Sequence, residues 1–167
     1  TISEQMPPEN LLDWLNEYLS EITLEVITRQ GIINKFTGDG LLAVFGVPLN
    51  RTVEVEVATD AQAAVECALA MGERLQQLNE EWQQRGLPAI QMRVGIFTGP
   101  IVAGSLGGKA RLEYGVIGDS VNTAARLESY EKTRQSDTCR ILIAKDTLIH
   151  LNDRFVVEHW GLIALKG

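Results

Sequence analysis

The chain has 167 residues, 45% of them hydrophobic and 22% charged, enough for one domain that removes roughly 70% of its unfolded surface from water without disulfide or metal staples. This composition excludes a disordered or fibrous protein, and a formal net charge of −7 with no basic stripe interleaved with aromatics argues against nucleic acid as a partner. No apolar run approaches the about 18 residues of a membrane span and no secretory signal opens the chain, so a soluble, cytoplasmic domain is expected.

After Pro7 and Pro8, the residues Leu11, Leu15, Leu19, Ile22 and Val26 recur at helical spacing and predict an amphipathic helix ending near Gly31. Ile32 to Thr37 and Leu41 to Phe45 are β-prone runs separated by Gly38, Asp39 and Gly40, which is hairpin grammar with Asp39 at the bend. Residues 46–59 read as a polar, turn-rich linker, after which Asp60 is placed to cap a long second helix. Its apolar stripe runs from Ala61 through Val65, Ala68, Leu75 and Leu78 to Trp82, and Gly86 and Pro88 end it.

Alternation at Met92, Val94 and Ile96 predicts a strand, with two more at Ile101 to Ala103 and Leu112 to Ile117, and Asp119 or Ser120 starts a third helix. A charged loop from Glu131 to Asp137 leads to a strand at Ile141 to Ile143, a short helix near Asp146 to Leu151, and closing strands at Phe155 to Trp160 and Leu162 to Leu165. This order predicts an α+β fold, helices layered over a largely antiparallel sheet. Cys67 and Cys139 form neither a disulfide framework nor a metal spacing and read as reduced, partly buried small residues.

Two stretches carry chemistry. Alone, the TGDG run is a turn, but it also presents an exposed carboxylate, Asp39, on rigid strands, the usual way to offer a hard oxygen ligand to Mg²⁺ shared with a triphosphate. Asn122 and Arg126 stand four apart on the third helix, one turn apart on one face. Such a pair is commonly a solvated face; its functional reading is a guanidinium aimed at charge developing on phosphate and a carboxamide orienting a sugar oxygen. The glycines from Gly95 to Gly108 do not make a P-loop, because Gly104 is followed by Ser105 and Leu106 rather than by Lys and Ser/Thr. His150 and His159 lack a second ligand at metal spacing.

Taken jointly, KFTGDGLLAVFG, RVGIFTGPIVAGSLGG and RLEYGVIGDSVNTAARLE, with SEQMPPENLLDWLNEYL before them, closely resemble the class III nucleotidyl cyclase catalytic domain, of the bacterial homodimeric type. The resemblance implies a ferredoxin-like (βαββαβ) two-layer sandwich. It also implies a head-to-tail homodimer with sites across the interface, two Mg²⁺ or Mn²⁺ per site, and cyclisation of a nucleoside triphosphate to the 3′,5′-cyclic monophosphate and pyrophosphate, for intracellular signalling. By the same resemblance Asp39 of one subunit holds metal, while Lys35, Asn122 and Arg126 of the other hold base, ribose and phosphate. Gly115 is the partner position of Lys35 at the base, and Lys166 matches the family's triphosphate-binding lysine.

The family's second metal aspartate lies on a first strand preceding the opening helix, so the expectation is a single domain over 1–167, truncated at both ends, with regulatory domains elsewhere on the full-length chain. Lys35 stands where adenylate cyclases have lysine, which favours ATP. Gly115 supplies no side-chain acceptor for the adenine amino group, which keeps GTP as the alternative. A further alternative is a non-catalytic, cyclase-like module that dimerises or binds nucleotide. Phe97 stands where many relatives have His, and Pro100 where some carry a phosphate-contacting Arg.

Overall fold

The computed structural model of the chain describes residues 6–135 and 137–165. In order the elements are α1 (Pro8–Thr28), β1 (Ile32–Thr37), β2 (Gly40–Val44), α2 (Glu54–Gln84), β3 (Met92–Ile96), β4 (Val102–Gly108), β5 (Arg111–Ile117), α3 (Asp119–Ser129), β6 (Cys139–Ile143) and α4 (Lys145–Leu148). The strands pair as an antiparallel β1–β2 hairpin, a parallel β3–β6 pair and an antiparallel β4–β5 hairpin. Most pairing is antiparallel as expected, but among the described residues no ladder joins the three pairs into one sheet.

The core lies where α1 and α2 cross. Helical periodicity puts Trp14, Tyr18, Ile22 and Val26 on the buried face of α1, against Cys67, Ala68, Met71, Leu75, Leu78 and Trp82 of α2. Trp14 and Trp82 meet at 5.3 Å between ring centroids with a 50° tilt, a favourable aromatic geometry. Glu17 accepts from the Trp82 indole N–H and from Arg85, and Glu21 accepts from Arg74, which fixes the helix register from the rim. Between β2 and β3 runs a groove of about 2230 Å³ whose floor is this apolar layer.

Three expectations need correction. The second helix begins at Glu54, so the last part of the expected linker, residues 54–59, is helical; Glu54 and Glu56 in its first turn favour the positive end of the helix dipole. Asp60 therefore does not cap it and instead holds Arg51, at 2.8 and 3.3 Å. The β4–β5 hairpin is longer than predicted and runs through Gly104, Gly107 and Gly108. The strands expected at Phe155 to Trp160 and Leu162 to Leu165 are irregular, for want of a neighbouring strand among the described residues, and Val156 and Leu162 stand fully exposed.

Helix α3 is seated on β3 by a contact between backbones. A Cβ at Gly95 would lie 2.2 Å from the Ala124 carbonyl oxygen and 2.4 Å from the Glu128 amide nitrogen, so only glycine lets the helix come this close. Arg93 of β3 pairs with Glu128 at 3.0 Å, Ser120 donates to the Pro100 carbonyl at 2.8 Å, and Arg140 donates to the Glu128 carbonyl in the last turn and to the Glu131 carbonyl just past it. Both ends of α3 are thereby held.

Two outcomes are expected. Gly95→Ala should lower stability by about 1–3 kcal/mol through overpacking, read as a lower urea midpoint; an unchanged midpoint would mean that α3 is free to shift. Burial pushes both thiols up to about 11, leaving on the order of 0.1% thiolate at pH 8. A thiol reagent at that pH should label the native protein far more slowly than the urea-unfolded chain, and an immediate full labelling of the native protein would contradict the burial.

Candidate active site

The β1–β2 hairpin closes through a two-residue loop, Gly38 and Asp39, between the paired residues Thr37 and Gly40. Gly38 takes the positive φ, 69°, that the tight turn demands, which leaves Asp39 free to stand exposed at the tip. Lys35 is exposed four residues earlier on β1. Asp39, Lys35 and Asn122 all line the groove between β2 and β3, whereas Arg126 and Gly115 lie outside its lining.

Lys35 and Gly115 are nevertheless brought together by another route. Asn34, the residue before Lys35, donates its side-chain N–H to the carbonyl of Tyr114, the residue before Gly115, at 2.9 Å. Strand alternation in the sequence gives no sign of this bond, so it was not legible there. Gly115 is itself covered: a Cβ at this position would lie 2.1 Å from Cδ1 of Leu106, on the paired strand. An Asp or Thr here would have to displace that leucine.

Asn122 is exposed and Arg126 half-buried on α3, one helical turn apart as expected. The arginines show a clear division of labour. Arg29, Arg51, Arg74, Arg85, Arg93, Arg111, Arg134 and Arg154 each pair with a carboxylate, and Arg140 is spent on backbone carbonyls. Arg126 alone has no side-chain partner among the described residues, and the same holds for the side chains of Lys35, Asp39 and Asn122. A guanidinium kept unpaired in a chain with excess carboxylate is available to an external anion.

For a divalent cation the described residues offer Asp39 as one hard oxygen ligand, with no cluster of three acidic or histidine side chains among them. That donor set fits Mg²⁺, which commonly binds through one or two carboxylates with the remaining positions filled by substrate phosphates and water. Lys166 lies outside the described residues. Phe97 and Pro100 flank the loop that meets the start of α3, where a Cβ on Gly99 would strike both the Phe97 ring and the Ser120 hydroxyl at 2.7 Å.

The family described as the adenylate and guanylate cyclase catalytic domain matches residues 1–167. The chain is 40% identical over 132 residues to adenylate cyclase 1 of Rhizobium meliloti, covering 79% of this chain and 19% of that protein, so it spans about a fifth of that relative's length. The crystal structure of the adenylyl cyclase CyaB from P. aeruginosa superposes with a TM-score of 0.86 at 34% identity, over 99% of this chain and 80% of that one. That of the guanylyl cyclase Cya2 does so with a TM-score of 0.79 at 32% identity, over 96% and 79%. The hairpin acid, the helical Asn and Arg pair and the whole-length match lead to one conclusion: the chain belongs to the adenylate and guanylate cyclase catalytic domain family.

Proposed function

We propose that this domain is a nucleotidyl cyclase that converts ATP, in preference to GTP, to the 3′,5′-cyclic monophosphate and pyrophosphate at sites shared between two copies of the chain. The observation that carries the reading is the guanidinium of Arg126, one turn from Asn122 and without a side-chain partner among the described residues, while the other arginines are held by carboxylates or, at Arg140, by backbone carbonyls. The reaction is an intramolecular displacement in which the ribose 3′ oxygen attacks the α-phosphorus in line with departing pyrophosphate, so positioning and charge neutralisation supply most of the catalysis. Arg126 neutralises charge developing on the phosphate, Asn122 orients the ribose, and Lys35 donates to the base. Asp39 would hold Mg²⁺ or Mn²⁺, two ions per site with a second aspartate, and the metal when bound neutralises the polyphosphate. Lys166 is assigned to the triphosphate.

Within one copy Lys35, Asp39 and Asn122 line the groove and Arg126 does not, so the single chain does not gather all four around one cavity, and the shared site rests on the family resemblance. The β4–β5 hairpin also leaves Val102, Leu112 and Ile117 at 67%, 68% and 52% exposure, an apolar surface suited to a second copy. Within this reading the three strand pairs and their helices are parts of a ferredoxin-like sandwich. GTP is the second reading, because Gly115 supplies no side-chain acceptor for the adenine amino group.

Incubation of the protein with Mn²⁺ and either nucleotide, with separation of the products, tests the activity. Cyclic nucleotide should form, with a specific activity that rises with protein concentration; absence of product with both nucleotides would favour a non-catalytic nucleotide-binding module. Arg126→Ala should lower kcat by about 10² or more while changing substrate affinity little, by analogy with lost oxyanion donors; equal effects on binding and turnover would remove that role. Lys35→Glu should move preference toward GTP, because a carboxylate accepts from guanine N1 and its amino group. Unchanged relative kcat/KM for the two nucleotides would take Lys35 out of base recognition.

A further inference from the structure

The pairing of β1 with β2 contains an irregularity at a telling place. Ile33 faces Ala43 and Lys35 faces Leu42, so Asn34 is the extra residue of a β-bulge directly before the lysine assigned to the base. A bulge bends its strand and re-aims the side chains beside it. The extra residue has no ladder partner, and its side chain is directed to another element.

That element is β5. The acceptor is the Tyr114 backbone carbonyl, so the donor must be the Asn34 carboxamide N–H, and the bond measures 2.9 Å. Among the described residues it is the one side-chain hydrogen bond between the β1–β2 hairpin and the β4–β5 hairpin. It sits between the two positions that face the base: Lys35 follows the donor and Gly115 follows the acceptor. Gly115 has no side chain with which to correct its own placement, and Leu106 closes the space above it. Where the Lys35 amine meets the base is therefore set by the bulge and by the bond that anchors it.

We propose that Asn34 is a positioning residue for base selection: by bonding the Tyr114 carbonyl it holds the Lys35 bulge against the Gly115 segment, so that one purine edge is read and the other refused. This inference rests on the reading that Lys35 contacts the base. A staple that merely held the two hairpins together would affect both nucleotides alike, whereas a positioning residue changes their ratio.

The test measures kcat/KM for ATP and for GTP in the intact protein, for wild type, Asn34→Leu, Asn34→Ser, Lys35→Ala and the double variant Lys35→Ala with Asn34→Leu. Leucine keeps the volume of Asn34 without a donor, and serine is too short to reach the carbonyl, so either variant that folds carries the test. The ratio of the two kcat/KM values should move toward unity by about 3- to 10-fold on loss of this bond. The double variant should show no loss of selectivity beyond Lys35→Ala alone, the signature of two residues acting as one unit. An unchanged ratio in the Asn34 variants, with selectivity lost in Lys35→Ala, overturns the positioning role and makes Asn34 a structural staple. An unchanged ratio in Lys35→Ala shows instead that the base-site reading has failed, and the inference with it.

Discussion

The approach of α3 to β3 at Gly95 is the constraint from which the helical half of the candidate site takes its geometry. A helix normally stands off a strand by the length of the side chains between them; here the Ala124 carbonyl and the Glu128 amide rest almost directly on the strand backbone. The Arg93 to Glu128 pair and the Arg140 bonds at the helix end then limit both rotation and sliding. A side chain that must neutralise charge only as it develops gains from such rigidity, because reorganisation during the reaction is avoided. Asn122 and Arg126 inherit the precision of a backbone contact.

Electrostatics gives the same helix its distinctiveness. In a chain of net charge −7, carboxylates outnumber cations, and an unassigned arginine would be expected to find one. The surface is arranged so that nearly all do, half of them with an exposed arginine, where a pair contributes little to stability, and half with a partly buried one. Their effect on the site is indirect: carboxylates engaged elsewhere do not compete with a phosphate for Arg126.

Elements whose periodicity is intrinsic were legible in the sequence. The hairpin around Gly38 and Asp39 and the Asn122 and Arg126 spacing on α3 lie where local pattern puts them, whereas the buried face of α1 is centred on Trp14 and Tyr18 and leaves the expected Leu11, Leu15 and Leu19 partly buried beside it. The start of α2 was hidden because Val55 and Val57 are poor helix formers among polar neighbours, and the help of Glu54 and Glu56 comes from the dipole of a helix not yet assumed. The last β-prone runs had propensity but no partner strand, and propensity alone makes no ladder. At the candidate site, the residues could be named from the sequence and their mutual placement could not. The bulge at Asn34 and the leucine over Gly115 depend on register and on a neighbour across the hairpin, which spacing along one strand does not encode.

The groove between β2 and β3 has a mechanical consequence. Among the described residues the hairpin that carries Asp39 and the strand that seats α3 share no ladder, and what links them is the pair of crossed helices beneath; the Asn34 amide bond ties the hairpin to β5 instead. Helix α1 packs on β1 and α2 packs on β3, so the angle at which the two helices cross bears directly on the span from turn acid to helical amide.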